Sequence, residues 1–350
     1  MVALQPGDAA VYVGANDGAL YAIDARTGDR IWTFAEPSEP ITSSPRVSGG
    51  TVFVGANDGN LYAVDATTGE RRWEFTDPSK PVTSSPMVSG GAVYVGADDG
   101  AVYAVDARTG ERVWATEAAG PVSSSPTVAD GTVYVGADDR TVYAIDSETG
   151  DRVWTFDEPV GPVTAPTVAG NAVFVGSDDR NVYAVDAGTG ERVWTFEEPA
   201  GPVFSAPEVA EGTVFVGSWE ALFAIDAGTG DAEWSIDLPT TGIDASPTVV
   251  DGVVYVGSLD GALRAVEAAT GSENWIFNEP PGWIVAAATA FDGTVYVGAG
   301  DGTLYAVGME TGERRWAFDE PSAGIATAPT VVSFQQDVPG TDAREALEYR

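Results

Sequence analysis

A tryptophan returns eight times along the 350 residues, at Trp32, Trp73, Trp114, Trp154, Trp194, Trp234, Trp275 and Trp316, with spacings of 41, 41, 40, 40, 40, 41 and 41. The pattern A-x-D-x-x-T-G-x-x-x-W around it is complete six times, first at Ala22/Asp24/Thr27/Gly28/Trp32 and last at Ala224/Trp234, and looser before Trp275 and Trp316. A period near 40 marks an array of small units, none of which buries a core alone. Length by itself suggests two or three domains. Like units closed into a ring make one body instead, so the repeat overrides the length.

Each unit reads as four short strands, as in the third: SSPMV (84–88), AVYVGA (92–97), AVYAVDA (101–107) and RVWATE (112–117). SGG, ADG, VDG and FDG separate first from second strands, and NDG and DDG separate second from third. Asp-Gly and Asn-Gly supply the positive φ that tight hairpins need. In the D-x-x-T-G link before the fourth strand, Asp accepts backbone N–H groups as in an Asx-turn and Gly takes the left-handed position. The VYVG strand is apolar at consecutive positions, so both of its faces must be covered. Four-stranded sheets covered on both faces stack radially as blades. The VxVG strand and the tryptophan strand each occur eight times. The P-x-V strand also reaches eight when AAATA at 286–290 is counted, but its set is displaced: none precedes the first VYVG, and TAPTVV at 327–332 is left over. A closed ring uses that surplus strand to complete its first blade, and closure leaves no long edge. The fold expected is all-β, an eight-bladed β-propeller of four-stranded antiparallel blades closed by the C-terminal strand. Residues 1–9 are a lead-in, 10–332 the propeller, and 333–350 a polar tail with one short helix from Asp342, where Glu345 suits a capping box.

The eight tryptophans serve best as wedges between neighbouring blades, with the glycine four residues earlier leaving room for a flat ring near backbone. A ligand stacked on one of them is the competing reading. Taken together, these residues resemble the tryptophan-docking motif of the pyrroloquinoline-quinone (PQQ) repeat family, over about residues 10 to 332. WD-repeat and kelch rings are the alternatives in fold, and the lack of histidine counts against the Gly-His half of the WD signature. The resemblance spans quinoprotein alcohol dehydrogenases and non-enzymatic propellers similar to the outer-membrane assembly lipoprotein BamB, and this chain looks closer to the second group. The dehydrogenase branch is similar within itself in a vicinal cysteine pair over the quinone and in long insertions between blades. This chain has no cysteine, and no interval between its tryptophans exceeds 41 residues. No residue falls on a matching quinone, calcium or catalytic motif, so none is assigned. The expectation is no cofactor, with PQQ and calcium as the alternative.

Composition narrows the function classes further. Without cysteine or histidine the chain lacks a thiol nucleophile, a c-type haem motif, the commonest general base and the commonest metal ligand. Together with the missing insertions this argues against an enzyme and leaves the question open. The net charge is −36: 53 acidic residues face sixteen arginines and a single lysine, Lys80. Nucleic acid needs a basic footprint, and an anionic membrane surface needs one too, so neither is an expected partner. Many carboxylates with almost no lysine suit concentrated salt, where a Debye length of ~3 Å at 1 M quiets self-repulsion. The N-terminus lacks the charged and apolar regions of a signal peptide, and no stretch approaches a membrane span. As written the chain reads as a cytoplasmic monomer. It reads as exported or cell-surface if its start is truncated.

Three features are candidates for function. Turn and connection carboxylates, among them Asp17, Asp58, Asp99, Asp139, Asp179, Asp260 and Asp301, form a crown on one face; it could focus cations or a basic partner, although good turn residues on a salt-adapted surface account for it. Calcium loops of the D-x-D-x-D-G type do not occur. The second feature is the set of breaks in the repeat. GANDGAL becomes GSWEAL in unit six, placing Trp219 and Glu220 at a turn tip, and PPGWIVAAATA brings Trp283 into the eighth unit. Trp219, Glu220 and Trp283 form a candidate interaction patch set against simple repeat drift. In unit seven Arg264 replaces Tyr and Glu267 replaces Asp. The third feature is Arg46 and Glu208, at equivalent places on innermost strands four units apart. The leading function is a non-catalytic scaffold or binding propeller with a protein or peptide partner. The alternatives are a PQQ/calcium oxidoreductase and a cell-surface carbohydrate binder using Trp219 and Trp283.

Overall fold

The computed structural model describes residues 8–237 and 242–334. The lead-in before Asp8 and the tail helix expected from Asp342 lie outside the described residues. Among the described residues thirty-two strands form eight four-stranded antiparallel sheets. Seven sheets are built from consecutive strands, innermost to outermost. The eighth joins both ends of the chain. Its outer three strands are β1 (Ala9–Gly14), β2 (Leu20–Asp24) and β3 (Arg30–Phe34), and its innermost is β32 (Thr330–Ser333). β32 pairs with β1 in the register Ala9↔Ser333 to Tyr12↔Thr330. Thr327 fastens the join, because its hydroxyl donates to the Gly14 carbonyl at 2.8 Å and accepts from the Gly14 N–H at 3.1 Å. The propeller is therefore closed, and its first blade is shared by the two ends.

The innermost strands are shorter than the sequence suggests. In the third blade the strand is Met87–Ser89, not 84–88. Pro86 has no N–H to offer a ladder. The preceding Ser84 bonds by its hydroxyl instead, donating to the Gly96 carbonyl (2.9 Å) and accepting from the Gly96 N–H (2.7 Å). A second refinement concerns φ. Positive φ at both turn positions occurs between first and second strands, as at Asp130 (47°) and Gly131 (76°). In the turns between second and third strands the glycine, as at Gly18, takes positive φ while the aspartate does not. That leaves the aspartate free to work through its side chain.

The tryptophan geometry is the same in all eight blades. Each indole sits on the outermost strand opposite the motif alanine, as in Ala22↔Trp32 and Ala144↔Trp154, and a bulge follows this pair. Alanine leaves the ring space to lie across the sheet. Each indole N–H donates to a backbone carbonyl of the next blade, from Trp32 to Ala66 (3.0 Å) around to Trp316, which reaches Ala25 of blade one (3.0 Å). The others are Trp73 to Ala107, Trp114 to Ser147, Trp154 to Ala187, Trp194 to Ala227, Trp234 to Ala268 and Trp275 to Met309, all between 2.8 and 3.1 Å. The motif glycine receives the ring of the preceding blade rather than of its own. A Cβ on Gly69 would stand 2.8 Å from Cδ2 of Trp32. One motif thus supplies two halves of different junctions, which is why it recurs intact. Six of the eight interblade cores add a second aromatic contact, such as Phe34 edge-on to Tyr62 at 5.5 Å, the exceptions having Thr116 and Ile236 in the phenylalanine's place.

Candidate functional site

Turns between second and third strands and the connections between blades share one face of the ring. There the aspartates of the crown are tied into the fold. Asp17 accepts the Tyr21 hydroxyl (2.8 Å), the Ala19 N–H (3.0 Å) and, from the connection entering its blade, the Ser322 N–H (2.9 Å). Asp58, Asp99 and Asp139 repeat this with Tyr62, Tyr103 and Tyr143, and Asp179 and Asp301 hold Tyr183 and Tyr305. Burial is the main cause that pushes the Tyr143 phenol up, followed by its bond to Asp139. Blade seven makes the same link with different chemistry. Arg264, in the tyrosine's place with its side chain 6% exposed, pairs with Asp260 at 3.0 Å and donates to Ser258 Oγ at 2.7 Å. In blade six Phe223 has no hydroxyl to hold, and the turn carries Glu220, which is exposed. The break in blade seven is therefore a compensated pair, and in blade six both members of the link are replaced together.

Nearer the axis lies a second ring, invisible in the sequence because its partners come from a connection and a turn. In blades two, three and four a hydroxyl donates to a side-chain oxygen: Thr42 to Asn57 (2.8 Å), Thr83 to Asp98 (3.0 Å) and Ser123 to Asp138 (3.1 Å). In blade five one residue is missing between Val163 and Pro166 (PVTAP against PVTSSP), and Thr164 is drawn in to serve Gly176, so Asp178 has no such hydroxyl. In blade six the pair is replaced by two aromatic rings, Phe204 and Trp219, edge to face at 6.2 Å. Blade seven has Asp244 opposite Leu259, and Asp244 Oδ1 is buried without a partner. Blade eight has Val285 opposite Gly300, and blade one has Ala326 opposite Asn16, whose Oδ1 is likewise buried and unpartnered. The mouth of the ring is therefore polar along blades two to five and largely apolar along blades six to eight.

The predicted patch residues fall in this apolar arc. The Trp219 ring lies against Gly242, where a Cβ would stand 3.1 Å from Cε3, and the indole remains 44% exposed. Trp283 takes the place of a connection proline. Its half-buried ring covers Gly300, where a Cβ would stand 2.5 Å from Cε2. Blade seven separates the two tryptophans, and no ring contact joins them among the described residues. Phe204, 39% exposed, was not singled out in the sequence, although comparing its position with Thr42, Thr83 and Ser123 across units reveals it.

Beside Phe204 a cavity of about 300 Å³ opens on the axis, lined by Ser125, Asp138, Thr164, Asp178, Phe204 and Ser246 among others. Burial, then the neighbouring Asp138 and Asp179, push the Asp178 carboxyl up, and burial does the same for Asp244. On the innermost strands Thr127, Thr167 and Thr248 donate their hydroxyls to carbonyls of the next blade, Pro166, Pro207 and Ala288. Arg46 instead reaches Met87 Sδ at 3.5 Å, and partial burial pushes the Glu208 carboxyl up to about 7. Among the described residues no group of three or more acidic, histidine or cysteine side chains is placed to hold a metal ion, and no helix is long and apolar enough to cross a membrane.

Known proteins with this architecture include catalysts and non-catalysts. The chain is similar to the computationally designed protein Ika8 (24% identity, TM-score 0.74, covering 82% of this chain and 89% of that one). It is similar to BamB from Moraxella catarrhalis (21%, 0.68, 83% and 89%) and to a europium-containing methanol dehydrogenase (15%, 0.70, 85% and 83%). At these identities the likeness is one of fold. No curated protein matches the sequence. A family model described as outer membrane protein assembly factor BamB, built on PQQ repeats, matches residues 3–87, 77–177, 159–218, 178–318 and 261–336. With nearly its whole length so matched, the chain belongs to this BamB-like PQQ-repeat propeller family.

Proposed function

We propose that the chain is a non-catalytic scaffold that binds a protein partner through the carboxylate face of its ring, in concentrated salt. The observation that carries this reading is the exposed Phe204–Trp219 pair, set where blades two to four place a hydrogen-bonded polar pair. An aromatic pair at a turn does nothing for the hairpin, and exposed aromatic anchors are enriched where proteins bind. The family model's description as an assembly factor supports a role exercised through contact with other proteins.

The quinone alternative fits the residues poorly. PQQ carries three carboxylates, whereas the axial cavity presents Asp138 and Asp178 and has no arginine or lysine in its lining. Among the described residues no three acidic side chains are grouped to hold a calcium ion beside the quinone. No reaction step is therefore derived through that group.

The test is affinity isolation in molar KCl with the tagged full chain, alongside addition of PQQ and calcium. A specific protein retained by the chain, with no bound chromophore, is the expected result. Bound quinone with dye-linked alcohol oxidation would overturn the scaffold reading.

A further inference from the structure

We propose that the arc of the mouth from blade four to blade seven grips an extended segment of a partner protein by one basic side chain and the apolar residue next to it. The inference rests on the scaffold reading above and gives it a site and a chemistry.

Three independent features converge there. The first is space: the cavity of about 300 Å³ is large enough for one long side chain, and it opens on the axis where the ring's own packing leaves it unfilled. The second is charge. Asp138 and Asp178 line the cavity, and Asp178 lacks the hydroxyl partner that its counterparts Asp98 and Asp138 possess. In the next connection but one, Asp244 carries a buried carboxylate oxygen with no partner, and Leu259 opposite it offers no donor. No cation lines the cavity to answer these groups. The third is the apolar wall. Phe204 lines the cavity and meets Trp219 edge to face, and both rings keep more than a third of their surface exposed. Trp219 continues over Gly242 toward Leu259.

A lysine or arginine answers all three. Its methylene stem lies along an aromatic ring while its head reaches the carboxylates, and a guanidinium also stacks on the ring face. Salt sharpens the argument. At molar ionic strength the Debye length is ~3 Å, so the acidic crown as a whole attracts little at a distance. Only a charge brought into contact, and held by apolar burial, still distinguishes one partner from another. Along blades two and three the same face offers acids beside tyrosines that are buried, with no exposed ring. In the arc from blade four to blade seven it offers both.

The test uses the full chain in molar KCl and a panel of capped hexapeptides with Arg-Leu, Lys-Leu, Arg-Ser or Glu-Leu at the centre, read by calorimetry and Trp fluorescence. Arg-Leu and Lys-Leu peptides should bind, with the other two at least about tenfold weaker. The double variant Phe204→Thr/Trp219→Asn rebuilds the polar pair of blade two, so it should fold, and it should lose at least about tenfold in affinity. Asp138→Asn/Asp178→Asn should lose as much, while Thr83→Ala/Asp98→Asn in blade three should change nothing. Binding that is equal for the acidic peptide, unchanged in either mouth variant, or absent from the whole panel overturns the proposal. A protein isolated equally by the native chain and by Phe204→Thr/Trp219→Asn overturns this site while leaving the scaffold reading intact. A quinone bound with no protein partner would instead remove the reading itself.

Discussion

Replacing Glu208 should stabilise the ring, and only above a definite pH. Glu208 occupies the first position of the innermost strand of blade six (Glu208–Ala210), where Thr127, Thr167 and Thr248 in other blades bond to the next blade. Burial raises its carboxyl from the ordinary 4.5 to about 7. One unit of displacement is worth about 1.4 kcal/mol, so holding the ionised form costs the fold up to roughly 3 kcal/mol. The sign follows from which state holds the proton. Between 4.5 and about 7 the folded chain keeps a proton that the unfolded chain has released, so stability falls as pH rises through that window and the full cost is present above it. Glu208→Gln keeps the shape and cannot ionise. It should match the native chain near the bottom of the window and exceed it by up to roughly 3 kcal/mol at about pH 8. Glu208→Thr should do somewhat better, by about 1 kcal/mol, if the new hydroxyl reaches the Pro247 carbonyl. Paired urea titrations at fixed KCl check this, since the difference between chains cancels the shared effect of the other carboxylates. A native–variant difference that stays constant across the window would refute the reasoning.

Other perturbations test the fold and its compensations. Arg140 and Arg180 adopt φ of 75° and 76° at turn positions that are glycine in most blades, so Arg140→Gly and Arg180→Gly should each add about 1 kcal/mol, read as a higher melting temperature. Gly190→Ala imposes a side chain at φ 75° and a Cβ 2.8 Å from Cδ2 of Trp154; a loss of about 2 kcal/mol or more is expected in urea titration, and a neutral result would contradict the docking geometry. Arg264→Tyr restores the pair used in six other blades and should cost less than about 1 kcal/mol, whereas Arg264→Ala removes the ion pair and should cost about 3 kcal/mol. The melting temperature should climb steadily from low to molar KCl, as a charge of −36 is screened; a flat response would remove the salt adaptation.

Much of the architecture was legible because it is repeated. Eight VxVG strands and eight tryptophans give the blade number, and the displaced P-x-V set gives closure by a strand at 327–332, which appears as β32 beside β1. What failed locally did so for a reason a pattern cannot carry: SSP looks like strand, but its serine hydroxyl replaces the ladder bonds that the following proline cannot make. The candidate site was only half legible. Trp219 and Trp283 stood out because tryptophan is conspicuous at a turn. Phe204 and Asp244 did not, and Asp178 counted only as one of the crown carboxylates, because their meaning depends on missing partners some fifteen residues away, as in Thr42–Asn57, and that pairing follows no strand register. Arg264 reads in the sequence only as a substitution for Tyr, and its contact with Asp260 shows a tyrosine–aspartate link rebuilt as an ion pair.

The shared first blade has a consequence for how the molecule comes into being. During synthesis β1, β2 and β3 emerge before the other seven blades, yet their innermost neighbour β32 follows all of those blades. Through the assembly of seven finished blades, the nascent protein carries a three-stranded sheet whose β1 edge is bare, an invitation to mispairing with a second copy. The entropic toll of so distant a closure grows only with the logarithm of the separation, so the hazard is one of timing rather than of final stability.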